Sequence, residues 1–127
     1  MALVLIVEDT QDNRVIYRTI LEYAGHTVIE AENGADALPL VRERRPDLIV
    51  MDVTMPVMDG LKATRHLKGN PDTNSIPILV FTANASARDR EDAVQAGANA
   101  YLAKPCSPKT MLAEVERLLF AAGAASS

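Results

Sequence analysis

The sequence predicts an α/β domain in which five strand–helix units build a doubly wound parallel sheet of five strands. Three observations predict it. Apolar runs too short for buried helices recur along the chain, among them Leu3–Val7, Leu48-Ile49-Val50-Met51 and Ile78-Leu79-Val80-Phe81. Longer stretches with helical apolar spacing separate them, as at Met111, Leu112, Val115, Leu118 and Leu119. Alternation of this kind gives a parallel sheet with helices on both faces and right-handed crossovers. Third, several runs end on a polar side chain: Glu8-Asp9, Asp52 and Thr82. Five strands fit the order 2-1-3-4-5, which sets the first and third strands side by side with a switch point between them.

Each element has its own justification. Residues 2–7 form a buried strand that ends on Glu8-Asp9. Thr10 is placed to cap a helix over residues 11–24, with Val15, Ile16, Ile20, Leu21 and Ala24 as its core stripe and Gly25 just past its end. Residues 26–31 form a less hydrophobic strand, expected near an edge. Asn33-Gly34 opens a helix to Arg44, in which Pro39 removes one hydrogen bond and predicts a kink or a late start. Pro46-Asp47 stops the chain before the third strand, whose last residue is Asp52; Pro56 lacks the N–H that a continuing strand needs. Asp59-Gly60 enters a helix that closes at Gly69, and residues 70–75 are a polar loop. Residues 77–82 are the fourth strand. Ser86 precedes a small-residue helix stopped by Gly97, and residues 99–103 are a short fifth strand followed by Lys104-Pro105. Ser107-Pro108 sets a cap before a proline at the first position of the last helix.

Composition bounds the function. With 127 residues the chain suits one domain, expected over residues 1–122 with a frayed tail at 123–127. At 4% aromatic residues the core must be aliphatic. Net charge is −4 and no Lys/Arg run exceeds two residues, so there is no electrostatic footprint for nucleic acid. The single cysteine, Cys106, excludes an internal disulfide and suits a reducing compartment. No apolar run approaches a membrane span, and no basic segment precedes the first one as in a signal peptide; a cytoplasmic protein is expected. His26 and His66 lack a metal-ligand partner at useful spacing and read as surface residues.

The predicted sheet order brings Glu8, Asp9, Asp52, Thr82 and Lys104 to one edge. Carboxylates about 4–6 Å apart repel by a few kcal/mol per pair at an effective dielectric near ~20. Such a cluster needs a proton, a lysine or a cation. All-oxygen ligands favour a hard ion, and Mg²⁺ commonly binds through one or two carboxylates together with a phosphate. Magnesium, lysine and a hydroxyl together neutralise the oxygens of a phosphoryl group in transfer, and an aspartate beneath them is a nucleophile.

These residues resemble the receiver domains of two-component response regulators, of the single-domain chemotaxis and cell-cycle type. The resemblance covers residues 2–120. It rests on Leu5-Ile6-Val7-Glu8-Asp9, Pro46-Asp47 with Leu48-Ile49-Val50-Met51-Asp52, Met55-Pro56, Met58-Asp59-Gly60, Phe81-Thr82-Ala83, Gly97-Ala98 and Lys104-Pro105, in order. It implies a flavodoxin-like three-layer sandwich and a signalling protein rather than an enzyme. Asp52 would be the phospho-acceptor, served by a sensor histidine kinase or a histidine phosphotransfer protein. Asp9, Asp52, the backbone carbonyl of Thr54 and, through water, Glu8 would hold Mg²⁺. Thr82 and Lys104 would hold the phosphoryl oxygens, and Thr82 with Tyr101 would form the switch. A downstream protein would read the surface of the fourth helix, fifth strand and fifth helix, the fourth helix being weakly anchored. The protein would be a monomer or weak dimer. A receiver-like scaffold that only binds partners is disfavoured, since all five site positions are filled, and three other readings stay open. A receiver cut from a hybrid histidine kinase would carry the same residues. An Asp-nucleophile phosphohydrolase of similar architecture would want a second Asp two residues after the nucleophile, where Thr54 stands. A flavin or nucleotide module would want a Gly-, Ser- and Thr-rich first loop in place of Glu8-Asp9-Thr10.

Overall fold

The computed structural model describes residues 2–52, 60–82, 87–103 and 107–122. Strands β1 (Leu3–Val7), β2 (Thr27–Ala31), β3 (Leu48–Asp52), β4 (Ile78–Thr82) and β5 (Ala100–Ala103) alternate with helices α1 (Gln11–Tyr23), α2 (Gly34–Arg44), α3 (Gly60–Lys68), α4 (Ala87–Ala96) and α5 (Pro108–Ala121). The strands form one sheet in the order β2-β1-β3-β4-β5, every pair parallel. The register pairs Val7 with Met51, Asp52 with Phe81 and Thr82 with Ala103. The predicted class and strand order are both borne out.

Alternation along the buried strands splits the core in two. Leu5, Val7, Ile49, Met51, Ile78 and Val80 face α2, α3 and α4 through Ala37, Leu38, Val41, Ala63, Leu67 and Ala93. Val4, Ile6, Leu48, Val50, Leu79 and Phe81 face α1 and α5 through Leu21, Met111, Val115, Leu118 and Leu119. The core is aliphatic apart from Phe81, which meets Tyr17 edge-on at 5.4 Å between ring centres. All five strands carry their carboxyl ends to one side, as parallel crossovers require.

Several local expectations hold. Asn33 caps α2 by accepting from the Asp36 N–H at 2.8 Å, and Ser107 caps α5 by accepting from the Thr110 N–H at 3.1 Å. Gly97 ends α4 at φ 100°; a side chain there would bring its Cβ within 2.9 Å of Lys68 Cγ. Others are corrected. Val15 and Ile16 are exposed at 55% and 53%, and the stripe that packs on the core is Tyr17, Ile20 and Leu21. The helix is turned this way because Arg14 and Arg18 lie toward the sheet, where Arg18 Nη2 donates to the Val28 carbonyl at 2.9 Å. Thr10 stands at the α1 N-cap position but its side chain does not cap; its hydroxyl lies 3.4 Å from Asp9 Oδ1. α2 starts at Gly34 and runs through Pro39, so its start is not delayed. His26 is buried, not a surface residue: Nδ1 accepts from the Ala2 N–H at 3.3 Å and Nε2 meets Glu116 Oε1 at 2.8 Å. Those bonds tie the start of β1 to α5. Ser86 and residues 123–127 lie outside the described residues.

Candidate functional site

The polar ends of β1 and β3 meet because the two strands are neighbours. Glu8, Asp9 and Asp52 each offer a carboxylate oxygen, and the three oxygens lie within 4.8 Å of one another. Glu8 and Asp52 are buried; Asp9 is exposed. Burial pushes the Glu8 carboxyl up to a pKa of about 7, with hydrogen bonding to Asp52 and its charge adding to the shift. A raised carboxyl between two other acids marks negative charge that the protein itself does not fully compensate. An all-oxygen donor set of this kind fits a hard divalent cation such as Mg²⁺.

The local chain holds Glu8 closely. Its N–H donates to the Ala31 carbonyl at 3.1 Å, extending the β1–β2 pairing by one residue. Its Oε1 accepts from Asn13 Nδ2 at 2.8 Å and its Oε2 from the Asp9 N–H at 2.9 Å. Its carbonyl accepts from Arg14 Nη1 at 2.7 Å. Asn13 and Arg14 belong to the first turn of α1. Sequence reading missed both. The available signal was their position, five and six residues past Glu8 on a helix that starts at once.

Thr82 closes β4, the strand next to β3, and is buried. It follows Val80, the register partner of Tyr101, by two residues, so Thr82 and Tyr101 share the sheet face that α4 covers. Tyr101 is half-buried against that core, with the Arg90 guanidinium 5.3 Å from its ring centre. Beside it a hollow of about 270 Å³ opens between α4, β5 and α5, bordered by Arg90, Val94 and Arg117. Thr54 and Lys104 lie outside the described residues, as do Met55-Pro56 and Asp59. A larger hollow of about 450 Å³ sits elsewhere, between β2 and α2, and none of Asp9, Asp52 or Thr82 lines it.

A family model for the response regulator receiver domain matches residues 4–116. The chain belongs to that family. It is 39% identical over 116 residues to the polar-differentiation response regulator DivK of Brucella anthropi, spanning 91% of this chain and 94% of that protein. Among solved structures, the signal receiver domain of a signal transduction histidine kinase from Syntrophus aciditrophicus superposes with a TM-score of 0.89 at 36% identity, over 95% of this chain and 92% of that one. The receiver domain of a sensor histidine kinase from Pseudomonas aeruginosa has a TM-score of 0.86 at 35% identity, over 93% of this chain and 97% of that one; its structure has a magnesium ion coordinated in the active site cleft. The receiver domain described here is thus a component of two-component signalling. No helix among its described residues is long and apolar enough to cross a membrane.

Proposed function

We propose that this receiver domain is a Mg²⁺-dependent phospho-acceptor whose acceptor is Asp52. The observation that carries the reading is the meeting of Glu8, Asp9 and Asp52 at the ends of two adjacent strands. Asp9, Asp52, the Thr54 carbonyl and, through water, Glu8 would hold the ion; magnesium in a Pseudomonas aeruginosa relative supports this. Bound there, Mg²⁺ supplies positive charge to the oxygens of the transferring phosphoryl group. A carboxylate oxygen of Asp52 attacks the phosphorus of a phosphohistidine on a sensor kinase or phosphotransfer protein. The P–O bond forms as the P–N bond breaks, and the histidine nitrogen leaves with the electron pair. Lys104 and the Thr82 hydroxyl hold the phosphoryl oxygens.

The output is a population shift. Thr82 drawn toward the phosphate vacates space on the α4 face, and Tyr101, its companion on that face, turns inward. Reversing a 1:99 ratio of states takes about 5.5 kcal/mol of differential stabilisation, which charge-assisted bonds to Thr82 and Lys104 are suited to supply. A protein target then reads the α4-β5-α5 surface. Residues 1–122 act as the receiver unit, working in the cytoplasm as a stand-alone regulator in the manner of DivK, to which the chain is 39% identical. The 36% identity to a histidine-kinase receiver keeps a second reading in view, a receiver attached to a kinase. The test is phosphorylation by acetyl phosphate with Mg²⁺, read by intact-protein mass spectrometry. One phosphoryl group is expected on the native protein and none on Asp52→Asn; undiminished labelling of that variant removes the assignment.

A further inference from the structure

Glu8 is gripped at every polar atom, and two of the grips come from adjacent residues of α1. Asn13 Nδ2 donates to Oε1 at 2.8 Å, and Arg14 Nη1 donates to the main-chain carbonyl at 2.7 Å. The Asp9 N–H holds Oε2 at 2.9 Å, and the Ala31 carbonyl receives the Glu8 N–H at 3.1 Å. Arg14 is itself immobilised. Its side chain is only 12% exposed, and Nε donates to Glu30 Oε1 at 3.0 Å. The other Glu30 oxygen pairs with Arg18, which also donates to the Val28 carbonyl at 2.9 Å. An unbroken polar chain therefore runs from β2 through Glu30 and Arg14 to the peptide that joins Glu8 to Asp9.

A helix-surface arginine ordinarily reaches solvent and pairs loosely. Arg14 instead lies nearly buried, with one nitrogen on the carbonyl where β1 ends and another on a neighbouring strand's carboxylate. Only a planar fork serves both acceptors at once, and an ammonium would not. Asn13 is equally specific. A neutral amide donor on Glu8 Oε1 favours the ionised carboxylate without adding a charge that would compete for Asp9 or Asp52.

We infer that Asn13 and Arg14 are positioning residues of the acidic site. Asn13 fixes the direction of the Glu8 carboxylate, and Arg14 fixes the main chain that aims Asp9, so that both acids are oriented before a divalent cation arrives. The inference rests on the reading of the cluster as a Mg²⁺ site. Groups that orient metal ligands from outside the coordination sphere typically change metal affinity by about 10–100-fold when removed.

The test is calorimetric titration of Mg²⁺ into the native chain, Asn13→Leu, Asn13→Ser and Arg14→Lys, with thermal unfolding of each metal-free protein alongside. Expected is a Kd for Mg²⁺ raised by about tenfold or more in each variant, with the metal-free melting temperature of the Asn13 variants little changed. Acetyl-phosphate labelling of the Asn13 variants should return to the native rate at saturating Mg²⁺. A merely structural role would lower the melting temperature and leave the magnesium dependence where it was. Mg²⁺ affinity unchanged in the Asn13 variants, with the native chain binding normally, overturns the inference. A native chain that takes up no Mg²⁺ overturns the reading of the site beneath it, and the inference with it.

Discussion

α1 and α5, on one face of the sheet, are held by means quite unlike those that hold α4 on the other. Leu21, Met111, Val115, Leu118 and Leu119 anchor the first pair, and the Tyr17–Phe81 contact, the Arg18 bond to Val28 and the His26–Glu116 pair add to them. α4 buries two alanines, Ala93 and Ala96, among its described residues, and Arg90 rests over Tyr101. Large apolar side chains and bonds between distant segments give a helix that opens only with the whole fold. Small side chains give one that can shift at little cost. The side that orients Glu8 and Asp9 is thus the fixed one, and the side proposed to report on phosphorylation is the loose one.

The comparison can be broken first at its strongest anchor. Leu21→Ala should destabilise by about 2–5 kcal/mol, seen as a lower urea midpoint with an unchanged slope. A cost below about 1 kcal/mol would mean that α1 is no better fixed than α4.

A second test concerns pH in the metal-free protein. The folded-state pKa of Glu8, about 7, lies above the ordinary 4.5, so the folded state binds this proton more tightly than the unfolded chain. The stabilisation is complete below about 4.5 and is lost as pH rises through about 7, at most about 3 kcal/mol in all. Glu8→Gln should remove that decline, measured as the difference between the two proteins' stability-versus-pH curves. Saturating Mg²⁺ should reverse the sign for the native chain, because the cation takes the ionised form.

The smallest effect is expected at the loose face. Arg90→Ala should change global stability by less than about 1 kcal/mol, the range of an exposed cation–π contact. It should nonetheless shift the Tyr101 ring resonances in NMR spectra. A large loss of stability would show that α4 is anchored more firmly than its alanines imply.

How much of this was legible in the sequence follows the range of the interactions involved. β3, α3 and the capped start of α5 stood where the apolar runs and the Ser107-Pro108 signal placed them, since those signals are local. The meeting of Asp9 and Asp52 was legible through one further step, the strand order. In the α1 stripe Ile20 and Leu21 were placed correctly, whereas Val15, Ile16 and Ala24 are exposed, because Arg14 and Arg18 face the sheet to reach acceptors at Glu8, Glu30 and Val28, which helical spacing does not encode. His26 was misread for the same reason: its partners are 24 and 90 residues away. Burial beside Asp52, which raises Glu8, likewise belongs to the assembled sheet.

The pairing of Val7 with Met51 carries a consequence for how this domain can fail. Side chains alternate along a strand, so sliding β3 by one position would exchange its residues between the two core layers and move Asp52 away from Asp9. Ile49 and Val50, packed into opposite layers, are what forbid the slide. Such aliphatic positions, chemically inert themselves, set the alignment of the proposed acceptor. Damage to them would cost stability and, through the register, the meeting of the acids.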